Sequence, residues 1–295
     1  MRKFFFVFLA SLLLLAGCAD KAKDEKIDLQ EIKEDRQGLD YRTTKQDEDI
    51  LAQLDTLLKK WQAAQKIQDH ALVISAEKDL EELSRSHFSE LVKAIPGEKG
   101  YIAVTSLGFS NDIRAIPYLN DALKTGGSIV RSNAALSLGH IASDQTPMEI
   151  LFDALKKDPE ASVRAMSAFA ISQIVNKEKD QDALPHLLVA LKDPAPEVRN
   201  NVVIALARTG NPEAVKAILA NTWNDEHPAV RYNSIGAVAM IGYTEECKIP
   251  LVQKMRDPVG NVGDAAYSVL KELTGKDFGP NPEKWEEWAE IKGTK

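Results

Sequence analysis

A pattern that repeats every 32 to 35 residues organises residues 112–277 of the chain. In each copy a Val-Arg pair, or Val-Gly in the last one, opens an alanine-rich apolar run. The pairs are Val130-Arg131, Val163-Arg164, Val198-Arg199, Val230-Arg231 and Val262-Gly263. A period of this length predicts stacked pairs of helices, because one pair can bury its apolar faces only against its neighbours.

An aspartate column accompanies the arginine column at a fixed distance. Six residues before the arginine position, four copies have Asp158, Asp193, Asp225 and Asp257. Thr125 takes this place in the first copy, and Gly263 replaces the arginine in the last. An aspartate there can cap the turn between the two helices and begin the second helix.

Residues 116–124 (IPYLNDALK), 130–139 (VRSNAALSLG) and 184–210 (LPHLLVALKDPAPEVRNNVVIALARTG) resemble HEAT repeats. The likeness is greatest to the short bacterial kind called phycobilisome-lyase-like HEAT repeats. It implies an all-α fold, a right-handed α-α superhelix of about six repeats, counting a worn copy at residues 88–109. Repeat folds of this type are mostly binding scaffolds with unrelated partners.

The resemblance also implies a role for the two columns. In HEAT-like proteins the matching aspartates and arginines form a structural ladder between neighbouring turns. The members here are Asp158, Asp193, Asp225, Asp257, Arg131, Arg164, Arg199 and Arg231. The alternative is a ligand-binding arginine stripe, but a polyanion site would call for a basic domain, and the chain has a formal charge of -7. The same charge argues against nucleic acid as a partner.

The first residues are typical of an export signal. Arg2 and Lys3 precede an apolar run at residues 4–15 that is too short to span a bilayer. The run ends in Leu15-Ala16-Gly17-Cys18, which resembles a bacterial lipobox. The resemblance implies cleavage before Cys18 and anchoring through acyl chains such as palmitate. It further implies an outer-membrane location facing the periplasm, because no aspartate follows Cys18 directly. An ordinary signal peptide with an incidental cysteine is the alternative.

Composition and period divide the chain into five segments. They are a lipoprotein signal peptide (1–17), a flexible charged tether (18–48), a capping helical hairpin (49–86), the repeats (87–277) and a C-terminal capping helix (278–295). The tether has few apolar residues and cannot bury enough surface to order itself, although an arm docking on the repeats through Ile27, Leu29 and Ile32 is an alternative. In the hairpin, Trp61 is expected to be a core anchor rather than a ligand platform.

Residues that could support catalysis do not form a recognisable motif. The five histidines are scattered, and none has a partner at the spacing of a zinc motif. Cys247 would be the lone cysteine beside a lipidated Cys18, so no intramolecular disulfide is expected. The sequence therefore predicts neither a catalytic nor a metal site, and no cofactor. An envelope enzyme or a small-ligand carrier, with a site assembled from distant residues, is the alternative.

One face of the second helices is the candidate binding surface. Positions two, six and ten after each valine lie on one stripe, which we call the second-helix face; the resemblance implies that it is the concave side. Leu136, Phe169 and Ile204 form its apolar middle column. Either these three side chains contact a partner, or they are tucked against adjacent helices. The candidate partner-binding residues are Leu136, His140, Phe169, Ile204, Arg208 and Tyr232.

The sequence thus predicts a membrane-anchored, non-catalytic protein-binding scaffold of the bacterial cell envelope, whose partners are other envelope proteins.

Overall fold

Helices account for all regular secondary structure in the described part of the chain. The structure, a computed structural model, describes residues 45–175, 180–242 and 244–290. In these ranges it has fifteen α-helices, one short 3-10 helix and no β-strand. The fold is therefore all-α, of the α-α solenoid type that the repeat period predicts. The signal peptide, Cys18 and nearly all of the tether lie outside the described residues.

The chain forms two compact units, Met1–Ile174 and Val175–Lys295. The helices of the first unit are α1 (Lys45–Lys66), α2 (His70–Ser86), α3 (Phe88–Ala94), α4 (Gly100–Phe109), α5 (Ile116–Thr125), α6 (Ser128–Ile141), α7 (Met148–Lys157) and α8 (Ala161–Ile174). Those of the second are α9 (Asp180–Ala190), α10 (Pro196–Thr209), α11 (Glu213–Asn221), α12 (Pro228–Ile241), α13 (Glu245–Lys254), α14 (Gly260–Thr274) and α15 (Pro282–Trp288). The 3-10 helix, Ile113–Ala115, precedes α5.

Helices α1 and α2 form an antiparallel hairpin against the first repeat. Asp69 caps α2, its carboxylate accepting a hydrogen bond from the backbone N–H of Leu72 at 3.0 Å. Leu54 of α1 and Leu80 of α2 are fully buried. The hairpin packs on both helices of the α3/α4 pair. It thereby covers apolar surface that the first repeat of a stack would otherwise expose to water.

In the first unit the second helices of successive pairs, α4, α6 and α8, pack side by side. Glycines let their backbones approach closely. A Cβ on Gly108 would lie 2.6 Å from Ser137 Oγ, and one on Gly139 would lie 2.9 Å from Ala170 Cα. The Ser137 hydroxyl donates to the carbonyl oxygen of Val104 at 2.9 Å across the same interface. A larger residue at either glycine would force neighbouring helices apart.

The second unit repeats this arrangement. Helices α10, α12 and α14 pack in one row, and α9, α11 and α13 pack in the other. Valines at matching positions (Val198, Val230 and Val262) are fully buried, because each second helix turns its apolar stripe toward the core between the two rows. The valine column that defines the repeat in the sequence is therefore a column of core residues.

The C-terminal helix α15 closes the second unit. Asn281 caps it, accepting a hydrogen bond from the backbone N–H of Lys284, and Pro282 occupies its first turn. Trp285 is 0% exposed, and its indole N–H donates to the carbonyl oxygen of Gly279 at 2.9 Å. The Phe278 ring lies 4.9 Å from it, centroid to centroid. Trp285 is thus a core residue of the second unit.

Candidate functional site

The aspartate and arginine columns meet in paired hydrogen bonds between neighbouring turns. Arg199 Nε and Nη2 donate to the two carboxylate oxygens of Asp225 at 2.6 and 2.8 Å. Its remaining nitrogen, Nη1, donates to the backbone carbonyls of Asp193 and Pro194 at 2.8 and 3.1 Å. One guanidinium therefore joins two successive inter-helix turns of the second unit.

Two other arginines pair with an aspartate in the same two-bond geometry. Arg131 binds Asp158 through bonds of 2.7 and 2.9 Å. Arg231 binds Asp257 through bonds of 2.8 and 2.7 Å. In the fourth, Arg164, Nη1 donates to the carbonyl oxygens of Asp158 and Pro159 in the first unit. These guanidinium groups are engaged in structural hydrogen bonds and do not form an open stripe for a polyanion.

Each carboxylate of these three pairs also caps its own turn. The carboxylates of Asp158, Asp225 and Asp257 accept a hydrogen bond from the backbone N–H two residues later, at 2.9 to 3.1 Å. Burial by itself would raise the pKa of each carboxyl, but the bonds from the arginine and from the backbone outweigh it. The pKa of each of the three aspartates therefore lies below its ordinary value.

The structure explains why the ladder stops at each end. The arginine that would pair with Thr125 is replaced by Gly100, whose Cβ would lie 1.9 Å from the carbonyl oxygen of Ile95. A Cβ on Gly263 would lie 2.8 Å from the carbonyl oxygen of Met255. Backbone is closest to these glycines in both cases, so neither position has room for an arginine.

In the first unit the second-helix face is occupied by the chain's own aromatic side chains. The Trp61 ring of α1 packs edge-on against Phe109 of α4, with centroids 5.1 Å apart. Phe109 lies 5.0 Å from His140 of α6, and His140 lies 6.3 Å from Phe169 of α8. Sequence reasoning did not include Phe109. Phe109 stands ten residues after Lys99, which takes the valine position in the worn first repeat. The ten-residue offset that selects His140 in the next repeat therefore also selects Phe109.

His140 and Trp61 are both held within this cluster. Burial lowers the pKa of His140 to about 4, so its imidazole is neutral at physiological pH. The Trp61 indole N–H donates to Glu77 Oε1 of α2 at 2.9 Å. The Phe169 ring packs closely against Gly139 of α6. A Cβ on that glycine would lie 2.9 Å from Phe169 Cε1. For Phe169 these contacts favour tucking against an adjacent helix over a role in binding a partner. Leu136 is half-buried.

In the second unit the face is more open. Ile204 and Arg208 of α10 and Tyr232 of α12 are half-buried, and Met240 of α12 is 46% exposed. Gly236 takes the central position on α12, so no side chain there separates these residues. The second unit thus presents apolar and polar side chains on neighbouring helices.

Arg208 differs from the ladder arginines because no carboxylate among the described residues pairs with it. Within the described part of the chain it has neither a hydrogen bond nor an ion pair, and burial alone lowers the pKa of its guanidinium. Helix α12 has no acidic residue, and the only one in α10 is Glu197 in its first turn. Eleven residues of helix place Glu197 about 16 Å away along the axis.

The described ranges contain a free thiol but no metal-binding cluster. They contain no group of three or more His, Cys, Asp or Glu side chains that could hold a metal ion. Cys247 is a free, fully buried thiol whose sulfur lies 3.3 Å from the Thr244 hydroxyl. None of the helices between residues 45 and 290 that the structure describes is long and apolar enough to cross a membrane.

Stacked helix pairs joined by an Asp–Arg ladder define a helical-repeat protein of the solenoid class. A family model described as HEAT repeats matches residues 98–172, 148–232 and 184–271. Together these matches span more than half of the 295 residues. The chain therefore belongs to the HEAT-repeat family. No curated protein gives a significant match.

Several solved structures are similar at low identity. A designed armadillo repeat protein in complex with the peptide (KR)4 is 20% identical, with 75% of this chain and 99% of that one covered and a TM-score of 0.44. The archaeal HEAT-like repeats protein from Thermococcus onnurineus NA1 is 12% identical, with 68% of this chain and 85% of that one covered and a TM-score of 0.45. The complex of CpcE and CpcF of phycocyanin lyase from Nostoc sp. PCC7120 is 16% identical, with 75% of this chain and 89% of that one covered and a TM-score of 0.41. At such identities the likeness concerns the fold alone.

Proposed function

We propose that this chain is a non-catalytic protein-binding scaffold that uses the second-helix face of its second unit. Scaffolds built from HEAT and armadillo-like repeats are typical protein-binding modules. The observation that carries the proposal is the set of side chains on α10 and α12 that neither the core nor the ladder uses, namely Ile204, Arg208 and Met240. In the first unit the corresponding surface contacts Trp61, so it is less available.

The proposed location is the bacterial cell envelope, with the chain anchored by lipid on Cys18 to the outer membrane and facing the periplasm. The support is the sequence Leu15-Ala16-Gly17-Cys18 after a short apolar run. Other envelope proteins are then the proposed partners. Cys18→Ala should abolish incorporation of a labelled palmitate analogue and release the protein from the membrane fraction. Unchanged labelling in that variant would contradict the lipid anchor.

Affinity capture tests the binding function. Tagged protein is crosslinked in native membranes and its partners are identified by mass spectrometry, with Met240→Glu as the test variant. The matched control is Val189→Glu, because Val189 is an exposed apolar residue (67%) on a first helix, α9, of the same unit. We expect a partner that both wild type and the Val189 variant recover and the Met240 variant loses. Equal recovery by both variants would contradict binding at this face.

A further inference from the structure

Among the residues that the structure describes, none provides a counter-charge for Arg208. Three of the four ladder arginines, Arg131, Arg199 and Arg231, each bind a carboxylate through two nitrogens. The guanidinium of Arg208 donates no hydrogen bond in the described residues, although its side chain is half-buried. Placing a charge in such surroundings without a partner is unfavourable. The charge of Arg208 is therefore more favourable when a partner is bound than in the free protein.

The surroundings of Arg208 indicate what a partner would present. Ile204 lies one turn before it on α10, and Met240 occupies the equivalent position on the adjacent helix α12. A planar guanidinium next to apolar side chains suits a carboxylate flanked by apolar groups. The whole chain has a formal charge of -7, so long-range attraction would not bring an acidic partner to this face. Recognition would depend on local contacts.

Local structure offers two competing explanations for Arg208. It lies in the last turn of α10, before the left-handed cap residue Gly210, and a positive charge is favourable at a helix C-terminus. Its aliphatic stem could also cover apolar surface. Both roles are structural, and both predict that losing the charge or the stem lowers stability without changing what the protein binds.

We propose that Arg208, together with Ile204 and Met240, binds a carboxylate of an acidic and apolar segment of a protein partner. This inference rests on the proposed binding function and specifies the chemistry of the partner at that same face.

Defined peptides test the inference on the full chain. One fluorescent peptide contains Glu, Leu and Ala, a second has Gln in place of every Glu, and a third has Lys there. Fluorescence anisotropy should show the Glu peptide binding most tightly to wild type. Arg208→Gln should weaken that binding about tenfold or more, the usual size for a lost charge-assisted hydrogen bond. Arg208→Glu should shift the preference to the Lys peptide. The control, Lys216→Gln on the first helix α11, should have no effect.

Three results would overturn the inference. They are absence of Glu-peptide binding, equal affinity for the Glu and Gln peptides, and equal losses in the Arg208 and Lys216 variants. Thermal unfolding of Arg208→Met gives a second readout: a melting temperature at or above that of wild type supports a binding role, and a clear decrease indicates a structural one. If Arg208→Gln still captures the membrane partner that Met240→Glu loses, this inference fails while the proposed function stands.

Discussion

Arg199 and Asp225 are joined across 26 residues of sequence by two hydrogen bonds of 2.6 and 2.8 Å. Only 10% of the arginine side chain and 4% of the aspartate side chain are exposed. Asp225→Ala would leave the Arg199 guanidinium buried without its counter-charge, so we expect a loss of about 3–5 kcal/mol in the free energy of unfolding. Urea titration followed by circular dichroism measures this loss.

An exposed ion pair in the same unit provides the control. Arg256 binds Glu283 and Glu286 at the surface, where solvent screens the charges and such pairs contribute little to stability. Arg256→Gln should therefore change stability far less than Asp225→Ala. Similar effects of the two substitutions would mean that the ladder is not a major source of stability.

The ladder should also make the free energy of unfolding depend on pH in the acid range. The folded-state pKa values of Asp158, Asp225 and Asp257 lie below their unfolded value, which is about 3.9. The unfolded state then binds more protons in acid, so the stabilisation is fully present above this value and is lost as pH falls through the lower folded pKa. Melting temperatures should therefore fall steeply below about pH 4. A melting temperature that is flat down to pH 2.5 would contradict the prediction.

His140 should add a separate dependence at higher pH. Its pKa is lowered from 6.5 to about 4, so the unfolded state binds the proton first as pH decreases. Stability should then be lost between about pH 6.5 and 4, with a slope of up to about 1.4 kcal/mol per pH unit. In His140→Phe the aromatic contact remains but the titration is removed, so this slope should disappear. His70→Gln, at an exposed site, is the control and should keep it.

Gly139 should tolerate no side chain. A Cβ there would lie 2.9 Å from Ala170 Cα, which is backbone and cannot move without shifting helix α8. We expect Gly139→Ala to cost about 1–3 kcal/mol, despite the higher helix propensity of alanine. Gly127→Ala is the matched control, since a Cβ at Gly127 has no neighbour within 4 Å, and its stability should be nearly that of wild type. Equal unfolding free energies for the two variants would exclude tight packing between α6 and α8.

The period of the sequence determined the class of fold. Val163, Val198 and Val230 recur in a helical pattern that buries each of them in the structure, because an apolar stripe on a helix can only be satisfied by a neighbouring stripe. The Asp and Arg columns were equally visible, since each copy repeats both at the same spacing. The sequence also contained the lipobox-like end at Cys18, which remains a prediction.

The tertiary structure decided which part of the second-helix face is covered by the chain's own side chains. The sequence assigns His140 and Arg208 to the same position of their repeats. The ring of Trp61, which precedes the repeats, lies 6.3 Å from the ring of His140, centroid to centroid. Arg208, in contrast, has no pairing partner in the described residues. Periodicity specifies the direction of a side chain relative to its own helix, but contacts between residues far apart in sequence depend on how the helices pack. For this reason the sequence predicted a face, and the packing indicated the part of it that could receive a partner.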